Sequence, residues 1–191
     1  MKLIVGLGNP GPEYTGTRHS AGFIVVEALG QRHGVKWQTP RGGRASHASW
    51  QAGDERVQLV RPQTMMNLSG AVFTDDVRAE SAPGQILIVC DDVNIPLGTL
   101  RMRAQGGAGG HNGLESCLAA LGTDEVPRLR VGVGIPALPK DLTDFVLSPF
   151  HNDERPVVDE MVARAVEACE LWVQEGIETA MNKVNGPPTS L

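Results

Sequence analysis

One histidine, one aspartate and three asparagines stand where apolar runs of this 191-residue chain give way to polar loops. Asn9 follows the first apolar run, Asn67 follows the run that stops at Pro62, and Asp91 follows the dense Ile/Leu/Val stretch 85–90. His19 heads the helix-like segment after the first run, and Asn112 heads the one after a glycine-rich loop. A neutral imidazole can take a proton from water near neutral pH, and a carboxylate on its other nitrogen fixes the tautomer and stabilises the imidazolium. A place near a helix N-terminus favours the neutral, basic form. Carboxamides relay no protons, but they hold a water or a carbonyl, and a well-aimed donor to a developing oxyanion contributes about 3 kcal/mol. No G-x-S-x-G elbow is present, and Ser69 in Asn67-Leu68-Ser69-Gly70 lacks that pattern. The set therefore points to base-assisted attack of water on an acyl compound. Each asparagine has a simpler reading as a turn or cap residue. Their arrival at strand ends is what favours a shared site.

Positioning such a set takes a sheet. Residues 2–7 read as a buried strand and residues 19–33 as a helix that Gly34 closes. Two half-buried strands, 45–52 and 56–61, are joined by the hairpin signal Gly53-Asp54-Glu55, and Pro62 ends the second. Residues 65–70 lead into a short helix running to about residue 79, and residues 85–90 read as a central strand covered on both faces. Strands at 99–104 and 128–134 flank a helix at 114–121, and a short helix at 140–147 precedes the longest one. That last helix takes Asn152 or Asp153 as its cap and tolerates Pro156 in its first turn. Strands alternating with helices predict a three-layer α/β sandwich, a single domain over residues 1–186 with a mixed, mostly parallel twisted sheet. Residues 187–191 read as a loose tail. In such sheets ligands bind at the carboxyl ends of the strands, so Asn9, Asn67 and Asp91 can share one cleft, with His19 and Asn112 on its rim.

Other chemistries fit less well. Gly6-Leu7-Gly8-Asn9-Pro10-Gly11 matches the dinucleotide fingerprint G-x-G-x-x-G. Pro10 and Pro12, however, delay the following helix, and Glu27 falls inside that helix rather than at the end of a second strand. The glycines read instead as a tight strand exit. Residues 106–113 lack the Gly-Lys-Ser/Thr ending of a nucleoside-triphosphate loop and suit a mobile lid as well as a phosphate cradle. No H-E-x-x-H or comparable spacing exists, so no metal is expected, and His33, His47 and His151 read as surface residues, with His111 undecided. Cys90, Cys117 and Cys169 are odd in number and far apart, which suits reduced thiols and a cytoplasmic protein. No apolar run has membrane-spanning length and no signal-peptide layout opens the chain. The net charge of −5 is unevenly placed: residues 1–150 carry 14 basic and 14 acidic side chains, residues 151–191 carry 3 and 8. The first 150 residues can therefore present a basic face, with Arg101, Arg103, Arg128, Arg130 and Lys140 as a candidate phosphate-binding rim.

Several of these motifs together resemble the bacterial peptidyl-tRNA hydrolases: Leu3-Ile4-Val5-Gly6-Leu7-Gly8-Asn9-Pro10-Gly11, Thr17-Arg18-His19, Met66-Asn67-Leu68-Ser69-Gly70, Gly109-Gly110-His111-Asn112-Gly113 and Arg128-Leu129-Arg130-Val131-Gly132. They recur in the family's order over nearly the whole chain. The resemblance implies a monomeric α/β enzyme that cleaves the ester between a peptide, or an N-blocked amino acid, and the 3′ end of tRNA, with no metal or cofactor. It implies His19 as general base and Asp91 as its orienting partner. Asn9 and Asn67 would bind substrate and the attacked carbonyl, Tyr14 and Met66 would shape the cleft, and Asn112 would line it. Arg103 and Arg130 would contact tRNA phosphate. Ser20, Cys90 and Ala108 depart from residues frequent in the family. A noncatalytic RNA-binding module on the same fold is the rival reading, and the retention of both His19 and Asp91 argues against it.

Overall fold

The computed structural model describes residues 1–186, so the tail expected at 187–191 lies outside the described residues. Six strands form one sheet in the order β2-β3-β1-β4-β6-β5. They are β1 (Lys2–Gly6), β2 (Ala45–Ala52), β3 (Glu55–Pro62), β4 (Ile86–Pro96), β5 (Leu100–Arg103) and β6 (Arg128–Gly134). The helices are α1 (Ala21–Arg32), α2 (Asp75–Glu80), α3 (Asn112–Leu121), α4 (Leu142–Leu147) and α5 (Arg155–Asn185). Strands β3, β1, β4 and β6 run parallel, while β2 and β5 pair antiparallel at the two edges. The predicted mostly parallel sheet is thus found, with a second antiparallel edge at β5 besides the hairpin.

Two apolar layers hold this sheet. Alternate residues Ile4, Leu59, Leu87, Val89, Met102, Leu129 and Val131 pack under α1 and α5, with Trp172 of α5 almost wholly buried. The opposite set, Leu3, Val5, Val60, Ile86, Ile88 and Cys90, packs with Leu114 and Cys117 of α3 and with the 3-10 segment Met66–Val72. Period-two alternation in the strands places one apolar set on each face, which makes three layers. The glycines of the fingerprint-like motif serve this packing. A Cβ on Gly6 would stand 2.3 Å from the Gly22 carbonyl oxygen, and one on Gly8 would stand 2.6 Å from the Phe23 ring. They let α1 lie directly against the exit of β1, with no phosphate site required.

Among the boundaries that differ from those the sequence predicts, three matter most. The segment before α1 is a short 3-10 turn, Arg18–Ser20, rather than the first turn of the helix. The cap position of α5 is taken by Glu154, not by Asn152 or Asp153, and Gly176 (φ 83°) breaks that helix near its end. Strand β4 does not stop at Cys90 but runs on to Pro96, because Asp91 and Asp92 stay paired with Val131 and Gly132 of β6. On the other side β4 pairs with β1 only through Val89. Beyond that point the sheet has a notch, bordered by β4 and by the loop that leaves β1.

Candidate active site

The notch opens into a cavity of about 390 Å³ lined by Asn9, His19, Met66, Asn67, Asp91, His111, Asn112 and Arg130, with α4 supplying Leu142, Val146 and Leu147 as a wall. All three asparagines named from the sequence therefore meet the histidine and the aspartate. They come from the loop after β1, the turn before α1, the segment after β3, β4 and the start of α3. The parallel strands bring these together because their carboxyl ends share one rim.

Asp91 is the centre of the polar arrangement. It is 3% exposed, and one of its oxygens, Oδ1, faces His19 Nδ1 at 2.9 Å and His111 Nε2 at 3.0 Å. The two rings stand 5.0 Å apart, tilted by 45°. Burial alone would raise the pKa of Asp91, but its contacts with His111 first, and then those with His19, hold its carboxyl well below the usual aspartate range. It is a carboxylate at any pH where the fold is of interest. His19 donates from Nδ1 to this acceptor, and its Nε2 has no hydrogen-bond partner among the described residues.

Asn9 is fixed just as firmly. Its Oδ1 accepts the backbone N–H of Met66 at 2.7 Å, which ties the loop after β1 to the segment after β3. A backbone N–H can only donate, so the amide orientation follows and Nδ2 is the free donor. Met66 is buried beneath this contact, its Sδ so close to Gly113 that a Cβ there would stand 2.3 Å from it. Asn67 and Asn112 are exposed at the mouth of the cavity. Tyr14 is not among the lining residues; it borders a neighbouring cavity, of about 500 Å³, that touches this one through Asn9.

The candidate basic rim divides. Arg130 lines the cavity, but its guanidinium holds Asp92 at 2.9 Å and the carbonyls of Gly107 and Ala108 at 3.1 and 3.2 Å. Arg128 is not a rim residue at all: it is 1% exposed, and it donates to the carbonyls of Val126, Gly106, Gly107 and Asp124. Its fork is turned inward because those loop carbonyls have no strand partner. Arg101, Arg103 and Lys140 are exposed. Arg103 lies on the β5 edge and lines no part of the cavity.

Two residues of the site escaped the sequence reading. His111, undecided from the sequence, caps α3 and completes the cluster around Asp91. Arg18, beside the histidine, is 1% exposed between the rings of Phe145 and Phe150, at 4.6 and 5.0 Å. It donates from Nη2 to Glu154 at 2.7 Å, while Nε and Nη1 have no partner among the described residues. It thereby fastens the turn that carries His19 to α4, the cavity wall. Only residues more than a hundred positions away bury this charge, so no local signal could have shown it. The departures at Ser20 and Cys90 do not reach the cluster. Ser20 bonds Thr17 and the Tyr14 carbonyl, and Cys90 points into the layer under α3, where burial pushes its thiol up to about 12.

His19, Asp91 and His111 are also the described groups whose ligand atoms come close enough to hold a metal ion, within 4.8 Å of one another. Their facing atoms, however, form a donor–acceptor–donor row. A cation would have to displace the ring protons that now bind Asp91.

Comparison with known proteins finds relatives over nearly the whole chain. A family model described as peptidyl-tRNA hydrolase matches residues 3–190. The peptidyl-tRNA hydrolase of Symbiobacterium thermophilum is 48% identical over 187 residues, which cover 96% of this chain and 98% of that protein. That of Desulfitobacterium hafniense is 42% identical, with 97% and 100% covered. Among solved structures, peptidyl-tRNA hydrolase from Acinetobacter baumannii superposes with a TM-score of 0.89 at 34% identity, covering 97% of this chain and 95% of that one.

Proposed function

The chain belongs to the peptidyl-tRNA hydrolase family, and from that premise we propose how its residues divide the work. The protein is an enzyme that hydrolyses the ester between a peptide, or an N-blocked amino acid, and the 3′ end of tRNA, releasing tRNA for reuse in translation. A noncatalytic RNA-binding role is not favoured.

His19 is the general base. Asp91 holds Nδ1–H, so Nε2 is left with its lone pair towards a water in the cavity. As the water oxygen attacks the ester carbonyl, Nε2 takes its proton and Asp91 stabilises the imidazolium. The carbonyl oxygen becomes an oxyanion, received by the amide N–H groups of Asn9 and Asn67. The tetrahedral adduct then collapses. The C–O bond to the terminal ribose breaks, and the leaving oxygen takes the proton back from His19. A peptide acid and a free tRNA leave, and the histidine is neutral again. Asn112 holds the acyl amide or the water at the mouth. Met66 shapes the floor, Tyr14 borders the approach beyond Asn9, and Arg103 and Arg130 contact tRNA phosphate. The enzyme works as a cytoplasmic monomer without metal or cofactor. The buried, unpaired thiols suit a reducing compartment, and no described helix is long and apolar enough to cross a membrane.

The observation that carries this reading is the His19–Asp91 contact, buried on the carboxylate side and open to the cavity on the other. Its test is incubation of the protein with N-acetyl-aminoacyl-tRNA, following free tRNA and free N-acetyl amino acid. The wild type should hydrolyse it. His19→Ala should lose about 10³-fold in kcat while still binding the substrate. A folded His19→Ala protein with near-normal turnover would refute the assignment.

A further inference from the structure

Two histidines reach the same carboxylate oxygen, and the two are not equivalent. His111 Nδ1 accepts the backbone N–H of Leu114 at 3.1 Å, as the N-cap of α3. That nitrogen must therefore be unprotonated, and the ring proton sits on Nε2, where it is donated to Asp91 at 3.0 Å. Both ring nitrogens of His111 are engaged, and it is nearly buried. To accept a proton it would have to uncap the helix. His19 has one engaged nitrogen and one free, so it alone can exchange a proton with water.

We infer that His111 is a positioning residue of the reaction: a donor held in its Nε2–H tautomer by the helix it caps, which anchors Asp91 from the α3 side and shares its acceptor oxygen with His19. This inference rests on the reading of His19 as base and adds a function for its neighbour. Sharing has a direction. A second N–H on Oδ1 draws on the charge that would otherwise hold the His19 imidazolium. With Asp91 to itself, His19 would have its imidazolium held more tightly. Anchoring has a direction too, since Asp91 with one donor is freer to turn. The other ionisable groups near His111 are Asp92 and Cys90 of β4, Arg130 of β6, Glu115 on α3 itself and Cys117 beneath it. Arg130 and Asp92 are paired with each other at 2.9 Å, and both thiols are held neutral by burial. The 3-10 segment Met66–Val72 brings no ionisable side chain to this side.

His111→Asn keeps a side-chain acceptor for the N-cap but is too short to reach Asp91. Its kcat/KM profile should show the acid limb moved up by about 0.5 to 1 pH unit and the plateau lowered about 3- to 10-fold, with KM little changed. His111→Gln, long enough to donate an amide N–H to Asp91, should restore the wild-type limb. An unmoved or down-shifted limb in a folded Asn variant, with only the melting temperature lowered, would make His111 a helix cap and nothing more. A readout without substitution is the ¹⁵N NMR of the ring nitrogens in the wild type. His111 should show the proton on Nε2 and a free lone pair on Nδ1, and the opposite tautomer overturns the inference. His19→Ala, assayed alongside, separates the two ideas. If it remains active, the base assignment fails; if it is inactive while the Asn variant overlays the wild type, only the role of His111 fails.

Discussion

The floor of the cavity and the β5–β6 edge hold their charged groups in opposite ways. On the floor a single carboxylate is shared by two histidines, each fixed by a second element, and nothing there is free to move but the lone pair of His19. At the edge, four arginines face one another across antiparallel strands, Arg101 opposite Arg130 and Arg103 opposite Arg128. Like charges directly opposite destabilise a ladder. The molecule resolves this by turning the β6 pair inward onto carbonyls and Asp92, while Arg101 and Arg103 stay exposed with no ion pair among the described residues. Four residues of one type, on alternate positions of one face, thus take two jobs. One pair braces the loops beside the site, with Arg130 also lining the cavity, and the other stays exposed on the edge.

The comparison is broken most severely at the floor. Asp91→Asn leaves the shape of the site but can offer His19 an N–H where it needs an acceptor, and it supplies no charge for the imidazolium. Turnover should fall on the order of 10²-fold, less than for His19→Ala, with KM little altered, as read by single-turnover kinetics. The same variant tests stability. Because the folded pKa of Asp91 is lowered, its contribution is full above the ordinary unfolded value near 4 and is lost as pH falls through the folded one. The gap in melting temperature between wild type and Asp91→Asn should be widest above about pH 5 and narrow steadily below about pH 4. A gap that widens in acid would contradict the assignment of a buried carboxylate.

Arg128→Met comes next. It keeps an unbranched stem in a buried place but takes the donor from the Val126 and Gly106 carbonyls, while the Gly107 carbonyl keeps Arg130 and the Asp124 carbonyl keeps the backbone N–H of Gly106. Unpaired buried acceptors are costly, so denaturant unfolding should show a loss of about 2–4 kcal/mol. Arg101→Met, the same change on the exposed pair, should fall within about 0.5 kcal/mol. Equal losses would erase the distinction between the two arginine pairs.

What could be read from the sequence follows the same division. Positions set by local pattern were legible. Strands β2 and β6 fall where alternation and turn residues place them, and Asn9, His19, Asn67, Asp91 and Asn112 meet because parallel strands share a rim. What was not legible depends on distant partners. Asp91-Asp92 looks like the end of a strand, and only pairing with β6 carries β4 past it. Alternating arginines in β5 and β6 look alike until the loop at 106–108 is seen to offer one pair its carbonyls. Arg18 would be placed at the surface by its charge, and Phe145, Phe150 and Glu154 bury it from the far end of the chain. His111 differs from other polar loop residues only in what Leu114 and Asp91 do to its two nitrogens.

A modest effect on activity is expected at Arg103, and it is the one that ties the edge to the substrate. A phosphate contact by an exposed arginine adds affinity through release of a counterion, so it contributes about one to the slope of log affinity against log salt. Arg103 is anchored for such a contact: the side-chain amide of Asn185 on α5 accepts from Met102 N and donates to Met102 O, both at 2.8 Å, which fixes the β5 backbone beside it. Arg103→Ala should lower kcat/KM for N-acetyl-aminoacyl-tRNA about 3- to 10-fold near 0.1 M salt and flatten its salt dependence by about one unit of slope. With a minimal N-acyl-aminoacyl adenosine ester that lacks the acceptor stem, the variant and the wild type should be indistinguishable, since Arg103 lines no part of the cavity. Equal losses on both substrates would move Arg103 from the tRNA surface to the support of the fold. An unchanged salt slope with a lowered rate would mean that the phosphate contact lies elsewhere on the edge, with Arg101 as the next residue to change.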